Sequence, residues 1–448
     1  MTSTAISQLP RPPLVKGLPI LHSLLPIVQN PAKFVREQTD KMGNIYRIKA
    51  LNRELTVIAG IEANKYMGVE KRELFTSEIN WRAFTEKANC PHLLVGVDGE
   101  CHSYQRKLLK PYFAKNSLSE RIPMMHEIIE RQVKRFDGEV VTVNPWIKYL
   151  MSNQVGYVMQ GVEATLDETN AFMFSQNTIV NVYMFKRWPR IAMLNPFYWR
   201  AKKVADNFRD KLTERKQANT KGSFESYTDK VIEGQKEKPE WFNQGDVEAH
   251  MMLPYVGGVD TAGGTHSFIL YELLNHPELL PRLRAEVDAA YANGSPNYDT
   301  LEGMEDLRGF IYECMRLHPT GFALNRNATE DFEFEGYRIR KGDEIMIFTT
   351  STHMDEQYFP EPEKFDIERY REPRNEHRQR HVYAPFGRGP HTCVAATLAE
   401  QQLMVNFASM LRFTEFEAVV PLEKLKKKYS PVAFMSDNFT VKFNKRGV

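Results

Sequence analysis

The chain has 448 residues, of which 42% are apolar and 26% are charged, and its 59 Lys and Arg residues nearly balance its 57 Asp and Glu residues. This composition is typical of a folded globular protein and excludes a disordered or collagen-like chain. A net charge of +2 gives no reason to expect a nucleic acid partner. The four cysteines contain no C-x-x-C pair, which excludes a zinc ribbon and favours a reducing compartment.

The first 30 residues are apolar in part, but prolines and His22 interrupt them repeatedly. No run of about 18 apolar residues follows anywhere in the chain. The N-terminus also lacks the charged, apolar and small-residue regions of a signal peptide. We therefore expect a cytoplasmic protein, unless an anchor precedes the sequence.

The predicted elements are strands near both ends of the chain and helices between them. Residues 46–60 predict a strand pair that turns at Asn52 and Arg53, and helical periodicity dominates from about residue 100 to 290. Residues 331–351 predict further strands, and residues 430–446 predict a C-terminal hairpin. Early and late strands can pair while the helical block folds over them, so we expect one discontinuous α+β unit.

The most informative segment is APFGRGPHTC, residues 384–393, which is followed by a long helical pattern. Gly387 and Gly389 allow a tight turn and a close approach to a flat or bulky group. Cys393 is placed at a helix start, where unsatisfied N–H groups and the helix dipole favour a thiolate. Such a cysteine is a candidate ligand or nucleophile, and the alternative is a buried, inert cysteine.

Phe386, Gly389 and Cys393 resemble the F-x-x-G-x-x-x-C-x-G haem-binding loop of the cytochrome P450 family, with Ala395 in place of the last glycine. The resemblance implies haem b as the cofactor and Cys393 as the axial ligand of its iron. It also implies a mostly α fold with small β-sheets, in a single catalytic domain that spans residues 1–448. In this fold we expect a β-rich part at about 40–80, 320–352 and 414–448, and a helical part at about 81–319 and 353–413.

Three further segments resemble motifs of this family. Residues 250–278 resemble its oxygen-binding helix, in which Asp260 and Thr261 would relay protons, although Thr261 could simply bond to the carbonyl four residues earlier. The family's buried structural triad corresponds to Glu313 and Arg316 of the E-x-x-R motif together with Arg369. The residues that would hold the haem propionates are His102, Arg106, Arg326 and His391.

The resemblance implies a soluble, bacterial-type monooxygenase that inserts one oxygen atom of dioxygen into an apolar substrate. Two electrons would come from a separate ferredoxin or flavoprotein, which basic residues would steer. A haem-binding sensor or storage protein and an isomerase, lyase or peroxygenase of the same fold are the alternatives. The acid and alcohol pair argues against the latter group. The candidate docking residues are Lys107, Lys110, Arg374, Arg378, Arg380 and Arg388.

Pocket residues inferred by analogy are apolar or aromatic, which suits a lipid, steroid or terpenoid substrate. They are Phe84, Leu94, Val95, Tyr255, Val259, Phe322, Ala323, Leu324, Phe434 and Met435. The C-terminal part resembles the sterol 14-demethylase branch, but that branch has His-Thr where this chain has Asp260 and Thr261. The basic and aromatic segment 185–203 predicts a lid over the pocket or a contact with a membrane surface, which is not required for function.

Two other motifs fail on inspection. GRGPHT has Thr392 where a dinucleotide fingerprint needs its third glycine, and no βαβ unit surrounds it. MHEIIE has Glu130 where the zinc protease motif needs its second histidine. Neither motif therefore predicts a site.

Overall fold

The computed structural model describes residues 6–184, 187–218, 226–429 and 432–447. The chain divides into two compact units, and each unit is discontinuous in sequence. The first unit comprises Met1–Trp81, Met315–Cys393 and Lys428–Ser430, and the second comprises Arg82–Cys314, Val394–Lys427 and Pro431–Val448. Within the described ranges, no helix is both long enough and apolar enough to cross a bilayer.

The first unit is built on a mixed sheet. Strand Arg53–Ala59 pairs antiparallel with Ile45–Ala50, as predicted, and parallel with Glu344–Phe348. Leu324–Ala328 pairs antiparallel with Glu344–Phe348, and the short strand Phe75–Thr76 completes this described sheet. The prediction that early and late strands pair is therefore confirmed.

Both faces of this sheet are covered. Val57 and Ile58 are consecutive, yet they belong to two different buried apolar clusters, and the same holds for Ile347 and Phe348. Because successive strand residues point to opposite faces, the sheet is packed on both sides. The first unit also contains helices Leu24–Gln29, Pro31–Met42 and Gly60–Lys65, and strands Phe332–Phe334 and Tyr337–Ile339.

The second unit is mainly helical, and helices Glu78–Lys87 and Glu305–Leu317 have residues in both units. Helix Ile122–Val133 shows why the periodicity predicted helices, because Met125, Ile128 and Ile129 lie on one buried face. The remaining α-helices of the second unit are Gly99–Leu109, Lys115–Ser119, Val143–Val155, Leu166–Ile179, Pro196–Ala218, Tyr227–Glu237, Gln244–Asn275, Leu280–Ala290, Tyr298–Gly303 and Ala396–Phe413.

The predicted C-terminal hairpin is wrong. Strand Thr440–Lys445 pairs with Glu139–Thr142 on one side and Thr414–Ala418 on the other. Both of its hydrogen-bonding edges are thus occupied, and the neighbouring strand Ala433–Met435 belongs to a separate two-stranded sheet. Strand Glu139–Thr142 also interrupts the predicted helical block. Residues 430 and 431 of the predicted hairpin lie outside the described residues.

Helix Gln244–Asn275, called the long helix below, has 32 residues and carries the predicted acid and alcohol pair. A capping box starts it: the side chain of Asn243 accepts from the backbone N–H of Asp246 at 2.8 Å, and the Asp246 carboxylate accepts from the Asn243 N–H at 3.0 Å. Pro254 lies inside the helix. Part of the glycine content has a packing reason, since a Cβ at Gly263 would lie 3.3 Å from Cζ of Phe434.

Candidate active site

The cysteine loop, residues 384–393, is closed by its own hydrogen bonds. The N–H of Cys393 donates to the carbonyl of Phe386 at 3.0 Å, and the N–H of Thr392 donates to the carbonyl of Gly389 at 3.0 Å. Cys393 itself is exposed and forms no disulfide. The described helix after it begins at Ala396, three residues further along the chain. The loop therefore presents a thiol at its end on a backbone that is folded back on itself.

Two glycines of this loop have backbone angles that favour glycine. Gly387 and Gly389 have φ of +73° and +77°. A Cβ at Gly389 would lie only 2.7 Å from the carbonyl oxygen of Met67, so the backbone passes too close for any other residue. The sequence-based role of both glycines in a tight turn is thus confirmed, and the close contact of Gly389 is with the protein's own backbone.

His353 supports the start of the loop, a role that no motif in the sequence predicted. Its ring is fully buried, and Nε2 accepts a hydrogen bond from the N–H of Ala384 at 2.8 Å. The ring also stacks on Tyr383, with centroids 5.1 Å apart. Burial lowers the pKa of His353 to about 3, so the ring is neutral at physiological pH and Nε2 stays an acceptor.

Other predicted haem-binding residues of the first unit differ in burial. Arg326 is buried in strand Leu324–Ala328 and donates to the carbonyl of Asn325 at 2.7 Å. His391 and Phe386 are half-buried in the cysteine loop. Arg388 donates to the carbonyl of Tyr383 at 2.6 Å, and desolvation lowers its pKa.

The three residues predicted to form a structural triad are all buried, and Arg369 pairs with a carboxylate outside that triad. Glu313, Arg316 and Arg369 are fully buried. Arg316 donates to the carbonyl of His353 at 2.7 Å, which connects it to the support of the cysteine loop. Arg369 forms an ion pair with Glu376 at 2.9 Å. Glu376 lies in a short 3-10 turn seven residues after Arg369, and no periodic pattern in the sequence points to it.

In the second unit, the predicted acid Asp260 is buried and has two partners from other helices. Nζ of Lys148 lies 2.9 Å from one carboxylate oxygen, and the side-chain amide of Asn177 donates to the other at 3.2 Å. Lys148 is 30% exposed at its side chain, whereas Asp260 is 6% exposed. The lysine therefore connects the buried carboxylate to the protein surface.

The predicted alcohol Thr261 bonds to its own helix. Its hydroxyl donates to the carbonyl of Gly257 at 2.5 Å. This is the local bond that the simpler interpretation of the sequence expected, and a threonine held in this way still has an oxygen that can accept a hydrogen bond. Phe434 lies close to Asp260, because Nζ of Lys148, which contacts Asp260, is also 4.7 Å from the centre of the Phe434 ring.

The predicted pocket residues of the second unit are mostly buried. Phe84, Leu94, Val259 and Met435 have little or no exposure. Tyr255 packs between the rings of Phe172 and Phe208, with centroids 5.2 and 5.3 Å away. Val95 is half-buried in the second unit, and Phe322, Ala323 and Leu324 are half-buried in the first.

The predicted propionate ligands of the second unit lie four residues apart on helix Gly99–Leu109. His102 is buried and Arg106 is half-buried. Four residues place both side chains on one face of the helix, as the sequence predicted.

The described part of segment 185–203 exposes large apolar side chains. Ile191, Leu194 and Phe197 are 70% to 71% exposed. Met193 and Tyr198 of the same segment are buried with Val182 and anchor it. Phe185 and Lys186 lie outside the described residues. The lid and the membrane contact both stay predictions.

Comparison with known proteins places the chain in a family. The cytochrome P450 family model matches residues 12–443. The chain is 34% identical over 191 residues to sterol 14alpha-demethylase of Mycolicibacterium vanbaalenii, a match that covers 42% of each protein. It is 27% identical over 444 residues to cytochrome P450 3A2 of Rattus norvegicus, which covers 91% of this chain and 86% of the relative.

A solved structure supports the same assignment at the level of the fold. Retinoic acid bound cyanobacterial CYP120A1 matches with a TM-score of 0.84 at 22% identity, covering 98% of this chain and 100% of that one. The mostly helical fold with small sheets is therefore confirmed. The chain belongs to the cytochrome P450 family and is a monooxygenase with haem b as its cofactor.

Proposed function

We propose that this protein hydroxylates an apolar small molecule with Cys393 as the thiolate ligand of haem iron. The observation that carries the proposal is the exposed thiol of Cys393 at the end of a loop that its own backbone bonds hold closed. A single soft thiolate donor on a rigid loop suits an axial haem ligand. When bound, haem with a thiolate ligand activates dioxygen, because the thiolate donates electron density that favours cleavage of the O–O bond.

Further donors would hold the cofactor. In the first unit, Arg326 and His391 would bind the propionates, and Phe386 and Gly389 would shape the loop around the thiolate. In the second unit, His102 and Arg106 would serve the propionates from one helix face. Arginine suits this role because its guanidinium matches a carboxylate with two parallel hydrogen bonds.

Asp260 and Thr261 would deliver protons. Lys148 is partly exposed and contacts the buried Asp260 carboxylate, which supports a path for protons from solvent to that carboxylate. Thr261 is the next residue on the long helix, and its hydroxyl oxygen can accept a hydrogen bond while the hydroxyl donates to the carbonyl of Gly257. The pair favours turnover over a sensor or storage role, which needs no proton delivery.

The proposed substrate is a lipid, steroid or terpenoid. Predicted pocket residues such as Phe84, Leu94 and Phe434 offer only apolar surface, which selects ligands by shape and burial. Two of the proteins named above are named for molecules of this kind, namely a sterol and bound retinoic acid. Asp260 in place of the histidine of the sterol 14-demethylase branch argues against sterol 14-demethylation itself.

A separate ferredoxin or flavoprotein would supply the electrons. Three of the predicted docking residues already have partners, since Arg374 pairs with Asp366 and Glu376, Arg388 donates to a carbonyl, and Arg378 lies 3.9 Å from the exposed Glu372. Arg378 and Arg380 remain exposed in the first unit, and Lys107 and Lys110 in the second. Charge reversal of Arg378 and Arg380 should slow reduction by an acidic partner and leave reduction by dithionite unchanged. Equal rates with the partner would contradict this docking surface.

The decisive experiment is the absorption spectrum of the dithionite-reduced, CO-treated protein. We expect the red-shifted Soret band of thiolate-ligated haem, and we expect Cys393→Ser to lose it while still binding haem. Cys101→Ser is the matched control, because it removes a partly exposed thiol elsewhere and should keep the band. A haem-loaded Cys393→Ser protein that keeps the band would overturn the ligand assignment.

A further inference from the structure

The loop of residues 88–98, called the pocket loop here because it carries Leu94 and Val95, is tied to the start of the long helix by one carboxylate. Asp246 is fully buried. One of its oxygens accepts from the backbone N–H of His92 at 2.7 Å. The other accepts from the N–H of Asn243 at 3.0 Å and lies 3.1 Å from Nδ1 of His92. A single side chain thus caps the helix and holds the loop.

A second histidine extends this contact toward Leu94. His250 lies one turn further along the long helix and is fully buried. Its Nδ1 bonds to the carbonyl of Asp246 at 2.7 Å, so Nε2 accepts from the N–H of Leu94 at 3.3 Å. Gln105 donates to the carbonyl of His92 at 2.7 Å and links the loop to helix Gly99–Leu109. The backbone of the loop is therefore held at both His92 and Leu94.

The fit between loop and helix is too close for a side chain at Gly245. A Cβ at this position would lie 2.0 Å from the carbonyl oxygen of Asn89 and 2.9 Å from its carbonyl carbon. Both neighbouring atoms belong to backbone, so they cannot rotate away. An alanine here must push the loop off the helix and leave Asp246 itself unchanged.

We propose that Asp246 is a positioning residue that sets affinity for the apolar substrate by fixing the pocket loop. The proposal rests on the proposed function in one respect, namely that Leu94 and Val95 line the substrate pocket. Leu94 is buried and directly bonded through its N–H to His250, so a shift of the loop moves the pocket wall. Asp246 acts through the loop and touches no reacting atom, so it controls binding and not the chemical step.

Asp246→Asn tests this with little change of shape. Each carboxylate oxygen accepts from a different backbone N–H, so an amide can satisfy only one of them in either orientation. Asp229→Asn is the matched control, because Asp229 occupies the same capping-box position on helix Tyr227–Glu237. The N–H and the hydroxyl of Ser226 both donate to the same oxygen of Asp229, which the amide retains. Gly245→Ala is the second, independent perturbation of the loop.

Two measurements on the haem-loaded protein separate the outcomes. The affinity for 4-phenylimidazole, measured by spectral titration, depends on the apolar pocket as well as on the iron. The affinity for imidazole depends on the iron alone. We expect Asp246→Asn and Gly245→Ala to lower the affinity for 4-phenylimidazole by about tenfold and to leave the affinity for imidazole unchanged. Asp229→Asn should bind both compounds as wild type does. Hydrogen exchange of residues 90–97 should accelerate in the same two variants, and this readout needs no haem.

Three results would overturn the proposal. Unchanged exchange in both variants would show that Asp246 does not fix the loop. Faster exchange with unchanged affinity for 4-phenylimidazole would show that the loop does not shape the pocket. Equal weakening of imidazole would assign the effect to the iron site. Failure of the thiolate ligand would be visible separately, in the Cys393→Ser spectrum, and leaves the exchange measurement readable.

Discussion

Replacing His353 should loosen the cysteine loop without creating a cavity. His353→Phe keeps a flat ring that can stack on Tyr383, but it removes the acceptor for the N–H of Ala384. Ala384 is buried, so its N–H finds no water in exchange. A buried donor left without a partner costs about 1–3 kcal/mol. Because 1.4 kcal/mol is a factor of ten, the population of the open loop should rise between about fivefold and about 150-fold.

The assay compares His353→Phe with His353→Gln, because the Gln oxygen can still accept from Ala384. Hydrogen exchange at residues 382–387 should accelerate in the Phe variant alone. The fraction of reduced, CO-treated protein with the thiolate band should fall with it, since the loop carries Cys393. Wild-type exchange rates in His353→Phe would refute the argument that this hydrogen bond holds the loop.

The same histidine predicts a dependence of stability on pH. Burial lowers the pKa of His353 to about 3 from its ordinary value of 6.5. Between these two pH values the unfolded chain binds a proton at this histidine and the folded chain does not. The contribution of His353 to the free energy of unfolding is therefore complete above pH 6.5 and is lost as the pH falls toward 3. The loss amounts to about 1.4 kcal/mol per pH unit. Denaturant titrations should show a steeper dependence of stability on pH in wild type than in His353→Gln, by about this amount, and equal slopes would contradict it.

Three further predictions follow from particular contacts. Thr261→Ala should raise the peroxide released per electron consumed and leave substrate affinity unchanged, as measured by a peroxide assay; unchanged coupling would remove Thr261 from proton delivery. Gly389→Ala combines a positive φ with a Cβ 2.7 Å from the Met67 carbonyl, so it should cost about 1–2 kcal/mol or more and lower the thiolate band. Arg369→Met should lower the free energy of unfolding by about 3 kcal/mol, because it removes the fully buried one of the two arginines that pair with Glu376, and Arg369→Met with Glu376→Gln should recover part of the loss.

The sequence predicted correctly those elements that depend on interactions between residues close together in the chain. The strand pair over residues 46–60 follows from β-branched residues on either side of a turn, and helix Ile122–Val133 follows from apolar residues on one face. The C-terminal hairpin failed because Thr440–Lys445 is paired by strands that lie about 300 and 25 residues away in sequence. The tertiary fold decides which strands pair with a given edge. The alternation of apolar and polar residues within one segment carries no information about that choice.

The same distinction separates the residues of the candidate site that the sequence predicted from those that it did not. Cys393 and Thr261 could be named from spacing, because their motifs are continuous in sequence. Lys148 and His353 could not, although each contacts a motif residue or its loop, because they come from segments with no fixed offset to those motifs. A buried carboxylate at Asp260 needs a partner, so under the proposed function the acid of the motif and the distant lysine act together. A homologous sequence with the same motif but an apolar residue in place of Lys148 should therefore be expected to deliver protons by another route.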